Sequence, residues 1–125
     1  MSETLEIPNF IGGGTSLVTV LESVNFGSGR RTPGHHSPNI TDLTMTRVMD
    51  RYSPLFFQEM SIPKSRSMTI YFRKGTATTI KIYMTAEIEN AQITSYSYNR
   101  GDKPGDKPIE LISINFTKIS YKFDG

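Results

Sequence analysis

Few side chains in this sequence could do chemistry, and most of them fall in one stretch. Gly27-Ser28-Gly29-Arg30-Arg31-Thr32-Pro33-Gly34-His35-His36-Ser37-Pro38 has almost no apolar content and is punctuated by glycine and proline. A loop this long in a compact chain is usually functional or disordered. His35-His36 could ligate a metal, but zinc sites gather three or four ligands, and no carboxylate or third histidine stands nearby. No metal is expected there. Arg30-Arg31 could meet phosphate or nucleic acid, or simply be solvated. Gly12-Gly13-Gly14 lacks the lysine of a phosphate-binding loop and reads as a turn. Arg100-Gly101-Asp102 spells an adhesion tripeptide that chance also produces. The sequons Asn39-Ile40-Thr41 and Asn115-Phe116-Thr117 matter only in a glycosylating pathway. No paired carboxylates, Ser-His-Asp set or activated nucleophile stands out, so the expectation is a protein without catalytic, cofactor-binding or metal-binding residues.

One further group concerns contact rather than chemistry. Tyr71, Arg73, Lys81 and Tyr83 fall in the phase opposite Ile70, Phe72, Ile82 and Met84. Tyrosine on a polar face is enriched at interfaces. The same pattern fits a tyrosine lying flat on its own surface or a second buried face. It also fits a platform for single-stranded nucleic acid, where cations interleave with aromatics.

Composition bounds the rest. At 125 residues, 36% hydrophobic and 10% aromatic, the chain has room for one domain and one core. No apolar run approaches the roughly 18 residues of a membrane-spanning helix. The start, Met1-Ser2-Glu3-Thr4-Leu5, shows neither the basic nor the apolar region of a secretory signal. Cysteine is absent, which rules out disulfides and thiolate metal sites. A net charge of +2 supports no nucleic-acid partner by itself. Without tryptophan to stack on sugars, a carbohydrate-binding sandwich is a weak alternative.

The elements follow from alternation. Ile112, Ile114 and Phe116 alternate, and the pattern resumes at Ile119, Tyr121 and Phe123 after a one-residue slip at Thr117-Lys118. That predicts a long final strand with a β-bulge, able to serve two sheets by turning the corner between them. Leu5-Glu6-Ile7 predicts a short first strand stopped by Pro8, and Leu17 to Phe26 a second. Ile40 to Val48 is the third, with Leu43 and Met45 in one phase. Ser53 and Pro54 read as cap and first residue of a helix of about two turns carrying Leu55, Phe56 and Met60. Met68 to Phe72, Ile80 to Ile88 and Ile93 to Tyr98 complete seven strands. A Gly-Asp-Lys-Pro repeat at 101–104 and 105–108 leads into the last. The fold class expected is mainly β, an antiparallel barrel or two-sheet sandwich with one short helix.

Three stretches, in this order, resemble a known family. They are Leu43-Thr44-Met45-Thr46-Arg47 through Ser53-Pro54, Ile80-Lys81-Ile82 through Ile93-Thr94-Ser95, and Ile112 to Phe116 with Lys118 to Tyr121. Leu5-Glu6-Ile7 followed by Ile11-Gly12 also fits. The family is Hcp, the haemolysin-coregulated proteins of type VI secretion, and the likeness spans nearly the whole chain. Two departures mark a divergent member. Only Gly13-Gly14-Thr15-Ser16 stands where the family has a longer charged segment, and Val24-Asn25-Phe26 where it often has tryptophans. The resemblance implies a homo-hexameric ring stacked into a tube, with sheath, spike and effector proteins as partners and no nucleic acid, cofactor or membrane insertion. It implies assembly in the bacterial cytoplasm and export without a signal peptide. It places Gly27 to His36 in ring stacking. A tail-tube protein of a phage-like contractile particle would share the same ring physics.

Overall fold

The computed structural model describes residues 2–12, 14–28, 40–62, 64–75, 78–100 and 105–123. The described residues form eight strands and one helix: β1 (Ser2–Gly12), β2 (Thr15–Leu21), β3 (Ser23–Ser28), β4 (Ile40–Val48), α1 (Ser53–Glu59), β5 (Arg66–Gly75), β6 (Ile80–Asn99), β7 (Ile109–Asn115) and β8 (Lys118–Phe123). All pairings are antiparallel. The path runs β2-β1-β5-β6-β7-β4-β3, with β8 on β6 as a branch.

The organising element is β6. Its first half pairs with β5 on one side and β8 on the other, and its second half pairs with β7. The sequence pattern suggested two strands here. Instead one strand of 20 residues changes sheets at Asn90, whose φ of 55° bends the ladder. Asparagine tolerates this left-handed conformation better than most side chains. The Asn90 amide donates to Thr117 Oγ1 at 2.9 Å, pinning the corner to the β7–β8 junction.

The final segment serves two sheets as expected, but as two strands. Phe116 turns into the core at 5% exposure and breaks the ladder. After it, β8 pairs only with β6, from Met84↔Phe123 to Glu89↔Lys118. The expected second strand also divides. Between β2 and β3 stands Glu22, whose N–H donates to the Thr46 carbonyl at 2.8 Å. The two strands then go to opposite ends of the path, so the sheet curls round, and among the described residues no ladder closes it into a barrel. Pro8 does not stop β1; the strand continues to Gly12 through a register shift after Ile7, with Asn9 at φ 57°.

The core is built from the inward phases. Leu5 and Ile7 of β1, Leu43 and Met45 of β4, Ile70 of β5, and Ile112 and Ile114 of β7 are all fully buried. Around this interior α1 is laid against β6 with Phe56 inward and Phe57 outward. Ser53 is the first helical residue rather than the cap. Tyr52 holds the cap position, and Ser53 Oγ accepts from the Asp50 amide at 3.0 Å to close the preceding turn.

Candidate functional site

The polar groups nearest α1 are committed to holding it in place. Leu43, Met45 and Arg47 share one phase of β4, so the alternation that buries two apolar side chains carries a guanidinium inward with them. Arg47 is 1% exposed. Its Nη1 donates to Glu110 Oε2 at 2.6 Å and its Nε to Thr19 Oγ1 at 3.1 Å. Its Nη2 lies 2.6 Å from Asp50 Oδ2, close enough for an ion pair but not aligned as a hydrogen bond. Glu110 is wholly buried, and its other oxygen accepts from the Tyr96 hydroxyl at 3.0 Å.

These contacts set the local electrostatics. Burial, and then the hydrogen bond and charge of Glu110, push the Tyr96 phenol up to about 12, against weaker opposing effects from Ser53 and Arg47. Partial burial raises Asp50, but Arg47, the Tyr52 amide and Arg51 outweigh it, and the carboxyl ends below its ordinary value.

An aromatic pair completes the mount. Phe10 and Phe56 meet with centroids 5.1 Å apart. Arg47 caps Phe56 at 4.8 Å, and Arg66 caps Phe10 at 5.0 Å. Arg66 is itself paired with buried Glu59. The order Arg66, Phe10, Phe56, Arg47 is thus one stack with a carboxylate behind each cation. Both oxygens of Glu110 are bound, one by Arg47 and one by Tyr96, and Arg47 in turn lies over the Phe56 ring of α1.

The outer surface carries more of the free chemistry. Beside α1 an open groove of about 380 Å³ is lined by Met49, Asp50, Pro54, Phe57 and Tyr96 among others. A second groove shares Met49 and Asp50 and extends to Val18, Val20 and Glu22. Val18, Val20 and Phe57 are each more than half exposed.

The residues singled out by sequence do not gather on one face. Tyr71 is on the outer face of β5, donating to Glu6 Oε1 at 3.0 Å. Burial raises its pKa first, and Glu6 adds to the effect. Arg73 follows on the same face opposite Ile82, with its Nε buried and without a hydrogen-bond partner. The register then slips: Phe72 faces Met84 while Arg73 faces Ile82, leaving Tyr83 as the extra residue. Its ring packs against Phe72 and Phe123 at 6.4 Å each, on the core side. Lys81 is exposed opposite Lys74. A bulge therefore breaks up the interleaved platform that strict alternation implied. Of the loop, Gly27 and Ser28 form the end of β3 opposite Asp42 and Ile40; Gly29, Arg30, Arg31, Thr32, Pro33, Gly34, His35 and His36 lie outside the described residues. The sequence reading missed Arg47, Glu110 and Tyr96. Their signal was an arginine in the apolar phase of β4 with an acid three residues on.

The described residues thus form a curled two-sheet β structure whose buried charges are paired and whose outer strand β2 leaves Val18 and Val20 exposed. Residues 15–123 match the family described as Type VI secretion system effector, Hcp, and the chain belongs to that family. The fold agrees. A double mutant of the Hcp1 protein from E. coli EAEC 042 superposes with a TM-score of 0.79 at 14% identity, covering 98% of this chain and 92% of that one. A type VI secretion system effector from Yersinia pestis gives 0.74 at 15%, covering 97% and 88%. Hcp2 from Salmonella typhimurium gives 0.70 at 17%, covering 98% and 87%. At these identities the structural likeness is one of fold. No curated protein matches the sequence significantly.

Proposed function

We propose that this chain is a single-domain structural subunit of the inner tube of a type VI secretion system. It closes into six-membered rings that stack, and the lumen carries effectors exported with it. Assembly in the cytoplasm, export without a signal peptide, and contacts with sheath and spike proteins belong to the same reading, which requires no catalysis. Gly27 to His36 are assigned to ring stacking, and Tyr71 and Arg73 to the outer contact face.

The observation that carries the reading is the contrast between sheet edges. Thr15 to Leu21 of β2 holds no charge and no proline, yet Val18 is 57% and Val20 65% exposed. Proteins usually blunt a free edge with lysine, proline or a bulge, because unpaired backbone groups are a template for another chain. The third edge, β8, follows that rule with Lys118 and Lys122. A head-to-tail contact that closes into a ring covers an unguarded edge in every copy and leaves none over.

Light scattering of the purified protein, followed by negative-stain imaging, tests this directly. A six-subunit mass with ring-shaped particles is expected. A monomer at high concentration would overturn the reading. Deleting Arg30 to His35 should leave rings intact and weaken tubes.

A further inference from the structure

Among the described residues the β5–β6 hairpin extends past its neighbours: β1 pairs with β5 only as far as Arg73, and β8 with β6 only as far as Met84. The rungs Lys74↔Lys81 and Gly75↔Ile80 continue beyond both. This two-stranded tongue is apolar and cationic together: Ile80 is 68% exposed and Ile82 37%, beside Arg73, Lys74 and Lys81. No ion pair joins these three cations among the described residues.

Elsewhere on the same chain is the opposite shape with the opposite charge. The two grooves that meet at Met49 and Asp50 are flanked by Val20 on one side and Phe57 on the other, with the carboxylates of Asp50 and Glu22 in their walls. The Arg47–Glu110–Asp50 cluster beneath carries one net negative charge, counting one cation against two carboxylates. Lys107 is the one cation lining either groove among their described walls. Arg51 lies over the Tyr52 ring at 5.0 Å and donates to the Tyr52 hydroxyl, while its charge also acts on Asp50.

We infer that the tongue of one copy docks in the Met49–Asp50 grooves of a second copy. Ile80 and Ile82 then lie against Phe57 and the β2 valines, and Lys74 and Lys81 face Asp50 and Glu22. The contact is heterologous, since knob and recess are different surfaces of one chain. Such a contact propagates or closes into a ring, and charge complementarity fixes its register. In taking the contact as the one that builds the ring, the inference rests on the tube reading.

Two variants at exposed positions test it. The tongue variant combines Ile80→Ser with Lys81→Glu, and the groove variant combines Phe57→Ser with Gln58→Lys. Each should keep the wild-type far-ultraviolet circular dichroism while losing at least about tenfold in self-association by sedimentation, as expected where apolar anchors are removed. The unfolding midpoint should be lowered only by the loss of association. Each variant retains one good surface, so an equal mixture should form one-to-one dimers that neither forms alone. Rings persisting in both variants would overturn the docking and leave the tube reading standing. A mixture that stays monomeric would overturn the complementarity. A monomeric wild type would overturn both readings. Wild-type binding to anionic phosphatidylglycerol vesicles, lost in the tongue variant while rings persist, would assign the tongue to a membrane surface instead.

Discussion

Arg47 and Glu110, 63 positions apart, meet Nη1 to Oε2 at 2.6 Å with 1% and 0% of their side chains exposed. The pair joins the end of β4 to the start of β7, and through Asp50 and Tyr96 it reaches the helix and the second half of β6. Removing water from two charges costs several kcal/mol, which their attraction repays only with good geometry and with the remaining donors and acceptors filled. Here Thr19 takes the Nε donor and Tyr96 the second Glu110 oxygen, while Nη2 of Arg47 has the Asp50 ion pair but no aligned hydrogen bond.

It follows that losing one partner is worse than losing both. Arg47→Ala leaves Glu110 charged and sealed and should cost about 3–5 kcal/mol. The double replacement Arg47→Met with Glu110→Leu should recover most of that loss, because no unpaired charge remains. Urea unfolding of the three proteins measures it. A double variant as unstable as Arg47→Ala would show that the fold depends on the pair itself.

The adjacent phenylalanines of α1 separate core from surface. Phe56 is fully buried between Phe10 and Arg47. Phe56→Ala should cost about 3–5 kcal/mol, the usual range for emptying a buried aromatic site. Phe57 is 59% exposed and touches Tyr96 edge-on at 5.8 Å. Phe57→Ala should change stability by less than about 1 kcal/mol. Thermal unfolding of both variants checks the contrast.

Gly75 is a position where backbone space decides. A Cβ there would meet the Thr79 carbonyl oxygen at 2.0 Å, a contact that only a backbone shift can relieve. Gly75→Ala should therefore open the last rungs of the tongue while leaving the core intact. Hydrogen exchange should show faster exchange at the Gly75↔Ile80 rung and unchanged protection at Ile70 and Ile112. Uniform loss of protection would mean that the hairpin end is coupled to the core.

Alternation made most of the sheet legible in the sequence, because a half-buried strand must place one face inward. Ile112 to Phe116, Met68 to Phe72 and Leu43 with Met45 all lie as their phases require. What alternation could not show was where the ladder slips. At Tyr83 the slip moves one aromatic from the outer face to the core side, and no residue type there announces a bulge. The break at Glu22 was equally silent, since Leu17 to Phe26 reads as continuous while its halves sit at opposite ends of the path. Arg47 was visible as a residue but not as a buried one, because its partner lies far along the chain.

Tyr96 ties the buried network to pH. Its phenol is held up to about 12, by burial first and by Glu110 second, against about 10 in an unfolded chain. Between these values the folded state binds the proton that the unfolded state has released, so stability falls as pH rises. The contribution is complete below about pH 10 and gone once pH passes the folded value. Since the side chain is only partly buried, the loss over that window should be roughly 1 kcal/mol after allowing for solvent screening. Tyr96→Phe will be less stable at neutral pH, because Glu110 loses a donor. The informative quantity is the slope, measured as urea midpoints at several alkaline pH values. The wild-type curve should fall more steeply than that of Tyr96→Phe between pH 10 and 12, and the two should converge above it. Parallel curves would mean that the phenol titrates alike folded and unfolded, and that the Glu110 contact does not hold in solution.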